Sequence, residues 1–269
     1  MQAEVAARQE LESDLREAIE HDRLTLAYQP IVDLADGSIV AVEALARWWH
    51  PNRFHVPPAV FIPCAEETGL IMPLGRWVFR RACLDLAEIR KGVGAANLRL
   101  SVNLSPRQLG DRRIVEDILE ALREAGLPPD VLDIEITESL ILDCGLEGRE
   151  YLGMLRAAGC RVSFDDFGTG FSSLGSLRSL PIDGLKIDRS FVGSMLDGGV
   201  DAAVVEAVIR LGAALKVDVV AEGIEDAATA QRLRELGCPH GQGYYFGRPE
   251  PVAAVSQRLA TSTTPAAAA

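Results

Sequence analysis

Short apolar strand segments alternate with amphipathic helix segments along this chain, and nearly every strand segment carries a polar, usually acidic, residue near the point where its apolar run stops. The pattern is visible in IVAVEAL, LDIEITES, RVSFDDFG and VDVVAEGIE. A carboxylate at the tip of a buried strand is unfavourable unless another group pairs with it. Its repetition around one sheet therefore indicates a shared cation. The residues concerned are Glu43, Asn103, Glu135, Asp165, Asp166, Lys186, Glu222 and Glu225.

The same alternation determines the predicted fold. Roughly eight strands that alternate with helices over about 250 residues are typical of a TIM barrel. The Asp36-Gly37 pair between the first two strand segments predicts a hairpin, which makes these two strands antiparallel. We therefore predict an α/β protein with a modified TIM (β/α)8 barrel whose first strand is antiparallel.

The predicted elements are defined by apolar periodicity and by glycines at helix ends. Strands are expected at 24–32, 38–46, 97–104, 131–137, 161–165, 183–187, 217–221 and near 243–246. Helices are expected at 5–22, 70–91, 111–125, 146–158, 199–215, 226–237 and near 251–260.

The two ends of the chain differ in composition from the predicted barrel. Residues 1–22 contain a charged helix, which is either a lone surface helix or a connector from an upstream module. Residues 23–261 contain no Pro/Gly-rich linker and are expected to form one barrel domain. The tail at 262–269 is expected to be disordered.

Charge and cysteine content exclude several classes of protein. The net charge of −12 argues against a general nucleic-acid or anionic-membrane binder. Five scattered cysteines without a CxxC pair indicate neither a zinc knuckle nor a disulfide framework. No apolar run reaches the ~18 residues that a membrane segment needs, and the N-terminus lacks a signal-peptide core. The expectation is a soluble, cytoplasmic protein.

The predicted barrel places the polar strand-end residues at one rim, because side chains at the carboxyl ends of barrel strands converge there. Oxygen ligands without histidine or cysteine favour Mg²⁺ or Mn²⁺ over zinc. The adjacent Asp165 and Asp166 could bridge two ions, an arrangement suited to phosphodiester hydrolysis, with Lys186 offsetting transition-state charge. Any of these residues alone could instead cap a helix or form a salt bridge, but independent capping would not select oxygen ligands at nearly every strand tip.

Several ordered motifs then identify a family. They are YQPIVDL (28–34), EALARW (43–48), FIPCAEETGLI (61–71), VNLS (102–105), EITES (135–139), DDFGTGFSSL (165–174), KIDRSFV (186–192), AEGIE (221–225) and QGYYFGRP (242–249). From about Leu24 through Pro249 the sequence resembles the EAL-domain phosphodiesterases of bacterial cyclic di-GMP signalling. The resemblance implies a barrel with an antiparallel first strand and hydrolysis of cyclic di-GMP to linear pGpG with two Mg²⁺ or Mn²⁺ ions.

The resemblance also assigns roles to individual residues. By position, the ligands of the first metal are Glu43, Asn103, Glu135 and Asp165, and those of the second are Asp165, Asp166 and Glu222. Lys186 is similar to the lysine that orients or activates the attacking water, and Glu222 joins it among the implied catalytic residues. Glu138 is similar to the glutamate that anchors the DDFGTG loop.

Substrate contacts and partners follow from the same resemblance. The implied substrate-contacting or supporting residues are Gln29, Arg47, Asp188, Gln242 and Glu225. The family links the 165–174 loop region to homodimerisation, and the first helix resembles a connector that follows a GGDEF or sensor domain. One departure is visible in NRFHVPP (52–58), where the family usually has a glycine near Phe54.

Three functions are compatible with this resemblance: an active phosphodiesterase, an inactive receptor that binds cyclic di-GMP, and a scaffold that binds a protein partner. Degenerate receptors and scaffolds are expected to lose metal ligands, the lysine or the loop-anchoring glutamate. Every one of these positions has its expected residue type here. The completeness of the site therefore favours the enzyme.

Overall fold

The structure, a computed structural model, describes residues 2–51, 54–92, 94–137, 145–168 and 182–262. Three predicted features lie wholly or partly outside these residues: Glu138, positions 169–174 of the loop, and positions 263–269 of the tail.

Eight of the strands form a closed barrel. The strands are β1 (Leu24–Asp33), β2 (Ile39–His50), β3 (Phe54–Val56), β4 (Arg99–Asn103), β5 (Leu132–Thr137), β6 (Arg161–Phe167), β7 (Gly184–Ile187), β8 (Asp218–Ala221) and β9 (His240–Gln242). Their order is β1-β9-β8-β7-β6-β5-β4-β2, and pairing of β2 with β1 closes the ring, while β3 extends β2 at the edge. Strand β1 is antiparallel to both β2 and β9, whereas β4 through β9 pair in parallel. The predicted modified TIM barrel with an antiparallel first strand is thereby confirmed.

Helices connect the strands and cover the barrel. They are α1 (Gln2–Glu20), α2 (Pro58–Thr68), α3 (Ile71–Ile89), α4 (Pro106–Leu109), α5 (Arg113–Ala125), α6 (Gly145–Ala157), α7 (Arg189–Ser194), α8 (Gly199–Leu215), α9 (Ala227–Glu235) and α10 (Val252–Ser262). The helical periodicity seen in the sequence corresponds to real faces, since Ile114, Ile118 and Leu122 of α5 are all buried. None of the helices in the described residues combines the length and apolar content that a membrane crossing needs.

The prediction of a last strand near 243–246 is wrong. The strand is β9, at His240–Gln242, and the chain turns immediately after it. Gly243 permits this turn, because a Cβ atom there would lie 2.1 Å from the carbonyl oxygen of Ile224. Only glycine allows the chain to approach Ile224 so closely. Strand β3 and the helices α2, α4 and α7 were not predicted from the sequence.

A second apolar core lies outside the barrel, beneath α1. Leu15 and Ala18 of α1 are buried together with Trp48 of β2 and Phe61 of α2. The Trp48 and Phe61 rings meet edge to face with their centroids 5.9 Å apart. The first helix therefore packs onto the domain through the part of β2 that runs beyond the barrel.

Candidate functional site

Strand register brings residues that are distant in sequence to one level of the barrel interior. Gln29 of β1 is paired with Glu43 of β2, and Asn103 of β4 is paired with Glu135 of β5. Glu43 lies within β2 rather than at its end, in contrast to the position expected from the sequence. The reason is that β2 continues past its pairing with β4 to pair with β1 and β3.

The Lys186 side chain lies at the centre of this layer of polar side chains inside the barrel. The side chain is buried, and its Nζ lies 2.6 Å from Glu222 Oε1 and 2.9 Å from Glu135 Oε2. Two more carboxylates are slightly farther away, with Nζ 3.5 Å from Glu43 Oε2 and 3.6 Å from Asp165 Oδ1. One ammonium group thus contacts carboxylates from four different strands or strand ends.

The charges in this cluster shift one another's pKa values. Burial alone would lower the pKa of Lys186, but the surrounding carboxylates raise it well above its usual value. Burial raises the pKa of Glu135, and the neighbouring Glu43 and Asp165 add to the rise. The Lys186 charge, together with two side-chain amides, holds the pKa of Glu43 below its usual value despite burial. The cluster therefore carries excess negative charge that one lysine only partly balances.

Side-chain amides fix the orientation of Glu43. Asn103 Nδ2 donates to Glu43 Oε1 at 2.8 Å, and Gln242 Nε2 donates to Glu43 Oε2 at 2.6 Å. Gln242 Nε2 also lies 3.3 Å from Gln29 Oε1, while Gln29 Nε2 donates to the Gly247 carbonyl at 3.1 Å. Of the two glutamines predicted as substrate contacts, Gln242 therefore contacts Glu43 directly, and Gln29 contacts Gln242.

An irregularity in β6 allows two consecutive acids to serve the same site. The register between β6 and β7 shifts between Phe164 and Phe167, and Asp166 has a positive φ of 54°. Side chains on a regular strand alternate between faces, so two adjacent residues point in opposite directions. A bulge removes this alternation. Oxygen atoms of Asp165, Asp166 and Glu222 consequently lie within 4.8 Å of one another.

The residues at this end of the barrel fit hard divalent cations. The donors are carboxylate and amide oxygens, the ligands that Mg²⁺ and Mn²⁺ prefer. Burial raises the pKa of Glu222 to about 7 and, with Asp165 and Asp188 adding to the rise, that of Asp166 to about 6. Such shifts are typical of acids that lie close together, and a bound divalent cation would lower both pKa values.

A cavity of about 230 Å³ opens over the carboxylates. Glu225 lies in its wall together with Glu43, Asp165 and Glu222. The sequence reasoning missed Arg189 and Tyr244, which also line this cavity. Their positions provided a signal, because Arg189 directly follows the strand end at Asp188 and Tyr244 follows β9.

Two of the predicted site residues lie at the margin. Asp188 caps α7 by accepting a hydrogen bond from the Ser190 backbone N–H, and it also bonds the Asp166 side chain. Arg47 is half-buried and donates from Nη1 to the Ala46 carbonyl at 2.9 Å. It lies on the same face of β2 as Glu43 and also lines a second cavity, of about 340 Å³, bounded by β2 and the helices α2, α3 and α4. All predicted site residues except Glu138, which lies outside the described residues, are thus gathered at one end of the barrel.

This chain is similar in sequence to a known family and to several known proteins. The sequence profile of the EAL domain matches residues 12–249. The chain is 45% identical over 252 residues to an uncharacterised signaling protein of Caulobacter vibrioides, covering 94% of this chain and 30% of that protein. It is 42% identical over 257 residues to the cyclic di-GMP phosphodiesterase NbdA of Pseudomonas aeruginosa, covering 95% of this chain and 33% of NbdA. The chain therefore spans about a third of the length of such curated relatives.

A solved structure shows the same architecture. The structure of the PaMucR phosphodiesterase in complex with c-di-GMP superimposes with a TM-score of 0.87 at 40% identity. The alignment covers 91% of this chain and 99% of that one.

Proposed function

The chain belongs to the EAL domain family, and on this basis we propose that it is a metal-dependent phosphodiesterase that hydrolyses cyclic di-GMP to linear pGpG. Its activity would lower the concentration of this second messenger in bacterial signalling. The names of NbdA and of the PaMucR complex support this substrate. The observation that carries the proposal is the contact of Lys186 with four carboxylates beside the Asp165, Asp166 and Glu222 cluster.

The proposed metal ligands are those that the sequence predicts. One ion would be held by Glu43, Asn103, Glu135 and Asp165, and the other by Asp165, Asp166 and Glu222. When bound, two Mg²⁺ or Mn²⁺ ions would supply Lewis-acid activation of the phosphate and of the attacking water. The donor chemistry and the spacing of these side chains support the assignment.

The chain's own groups would hold the substrate and guide protons. The Lys186 ammonium would donate hydrogen bonds to the attacking water or to a phosphate oxygen and offset charge in the transition state. Gln242 would keep Glu43 oriented with support from Gln29, while Arg47, on the same face of β2 as Glu43, would bind a phosphate. Asp188 would support Asp166.

Glu225, in the wall of the cavity, completes the proposed contacts of the substrate. Glu138 remains proposed as the anchor of the 165–174 loop.

An activity assay of the purified protein tests the proposal directly. Incubation with cyclic di-GMP and Mg²⁺ or Mn²⁺ under reducing conditions should yield pGpG, identified by chromatography and mass spectrometry. Without a divalent ion no product is expected. Glu43→Ala should abolish turnover because it removes a proposed ligand of the first ion.

The matched control is Glu120→Ala, since Glu120 is an exposed glutamate of α5, remote from the barrel rim. This variant should retain full activity. Cyclic di-GMP that is bound but left intact by the wild-type protein would favour the receptor function instead. Full activity of Glu43→Ala would rule out its role as a ligand.

The remaining expectations belong to the same proposal. They are a cytoplasmic location, a homodimer formed through the 165–174 loop region, and an upstream GGDEF or sensor domain that acts through the helix at 1–22. Packing of α1 against β2 supports a route by which an upstream module could influence the site.

A further inference from the structure

A third cavity lies inside the barrel, beneath the carboxylates of the candidate site. Glu135 and Lys186 line it from above. Asp133, Arg161 and His240 line it from below, since each is at or next to the first residue of its strand. The cavity therefore lies between the candidate site and the opposite end of the barrel.

Small residues surround this space. The interior of a TIM barrel is usually filled by large branched side chains. Here the lining includes Ala41, Ser101, Ser163 and Gly184. The volume of the cavity is about 20 Å³, which is enough for roughly one or two water molecules and too small for a larger ligand.

Three buried polar atoms beside this cavity have no hydrogen-bond partner among the residues that the structure describes. They are Asp133 Oδ1, Arg161 Nε and His240 Nδ1. Folded proteins rarely leave such atoms unpaired, and ordered water often pairs with them. Burial also raises the pKa of Asp133, and a water that donates to Oδ1 would lower it.

The ion pairs around these atoms are too long to be hydrogen bonds. Arg161 Nε lies 3.6 Å from Asp133 Oδ2, and His240 Nε2 lies 3.9 Å from Asp218 Oδ1. Polar contacts of this length are commonly completed by a bridging water. The lower wall of the cavity therefore offers several groups to one small polar ligand.

The chemistry of these groups favours water over an ion. Asp133 Oδ1 needs a donor, whereas Arg161 Nε needs an acceptor. An anion cannot donate to the carboxylate, and a metal cation cannot accept from the guanidinium. Water does both, and it pairs with His240 Nδ1 in either tautomer, because burial lowers the pKa of His240 and keeps its ring neutral.

We propose that ordered water occupies this cavity, pairs with these three atoms and holds the Glu135 carboxylate in place from below. Asp133 and Glu135 are two residues apart on β5, about 6–7 Å, a distance that a short chain of hydrogen-bonded waters can span. The effect on Glu135 rests on the function proposed above, in which Glu135 is a ligand of the first ion. A ligand held in place by its surroundings binds the ion more tightly.

A crystal structure of the protein prepared with EDTA tests for the water directly. Electron density should show ordered water within about 3.2 Å of at least two of the three unpaired atoms. Density for an ion, no ordered density, or direct contacts between the side chains that close the cavity would overturn the proposal.

Two variants of Ser101 test the effect on Glu135. Ser101→Val replaces the hydroxyl with a bulkier apolar group, so it should displace the water and weaken Mn²⁺ binding by about tenfold in a calorimetric titration. Ser101→Ala, the matched control, removes the hydroxyl but leaves room for the water, and its Mn²⁺ affinity should stay within about twofold of wild type.

Crystal structures of both variants accompany the titrations. They should show the water lost and the Glu135 carboxylate displaced in Ser101→Val, and both features retained in Ser101→Ala. Unchanged Mn²⁺ affinity in a Ser101→Val protein that has lost the water would overturn the role in holding Glu135. Equal weakening in the two variants, with the water still present in Ser101→Ala, would overturn it as well.

Failure of the proposed function gives a different result. The water is observed without an ion or a substrate, so a protein that leaves cyclic di-GMP intact would still contain it. A wild-type protein that binds no Mn²⁺ would overturn the proposed function and the effect on Glu135, while the electron density would still decide whether water occupies the cavity.

Discussion

Lys186 shows how a single residue determines the electrostatics of this site. Its buried ammonium is within 3.6 Å of four carboxylates, so their burial depends on its charge. A buried ion cluster that loses one partner is strongly destabilised, because the remaining charges are left without compensation. The lysine is therefore a structural counter-ion as well as a proposed catalytic group.

Lys186→Met should reduce the free energy of unfolding by about 3–5 kcal/mol when divalent ions are removed with EDTA. The four carboxylates would then repel one another without a cation between them. Urea denaturation measures the change. The control is Lys91→Met, because Lys91 is an exposed lysine after α3 and its loss should alter stability by less than about 0.5 kcal/mol. Equal stability of the two variants would contradict the counter-ion role.

Among the elements, β2 links the candidate site to the first helix. Glu43 and Arg47 belong to the half of β2 near the site, and Trp48 directly after them lies in the core beneath α1. Displacement of α1 would therefore act on a residue adjacent to Arg47. The charged face of α1 is typical of a surface helix, while Leu15 and Ala18 on its other face are buried against the domain.

Leu15→Ala tests whether α1 contributes to the stability of the domain. Leu15 is fully buried in the core beneath α1, so its truncation should cost about 2–5 kcal/mol in a urea unfolding experiment. Gln9→Ala, at an exposed position of the same helix, should have little effect. If Leu15→Ala unfolded at the wild-type urea concentration, α1 would be a connector that adds nothing to the fold.

At the scale of the whole molecule, closure of the barrel gathers residues from the entire chain. Gln29 of β1 and Gln242 of β9 are far apart in sequence, yet their side chains lie 3.3 Å apart. Barrel closure through β1 pairing with both β2 and β9 is the reason. Ligands that bind across the rim therefore stabilise the barrel as a unit.

Mn²⁺ at about 100 times its Kd should raise the melting temperature by roughly 5–10 °C, because binding to the folded state alone adds about 2.7 kcal/mol. Glu43→Ala should show a smaller increase because one ligand is missing. Thermal melts with EDTA and with Mn²⁺ provide the measurement, and Glu120→Ala should respond like the wild type. The same shift in Glu43→Ala would show that Glu43 does not hold the ion.

Much of the fold follows from local patterns in the sequence. The apolar periodicity of a helix or strand depends on neighbouring residues, and it correctly predicted most of the helices and strands. The turn at Asp36-Gly37 is also a local feature, and it correctly predicted that β1 and β2 are antiparallel. Because strand ends in a barrel share one rim, the location of Glu135 and Lys186 could be predicted as well. The last strand was misplaced because Gly243 is constrained by contact with the distant Ile224 rather than by its neighbours.

The sequence by itself therefore determined the barrel, the hairpin and the set of polar residues at the rim, since each depends on local periodicity or on a general property of parallel strands. Only the tertiary structure decided how these residues are used. It placed Glu43 within β2, turned both Asp165 and Asp166 toward the site through an irregular register, and enclosed a small polar cavity inside the barrel. These features depend on packing between elements distant in sequence, which no local pattern records.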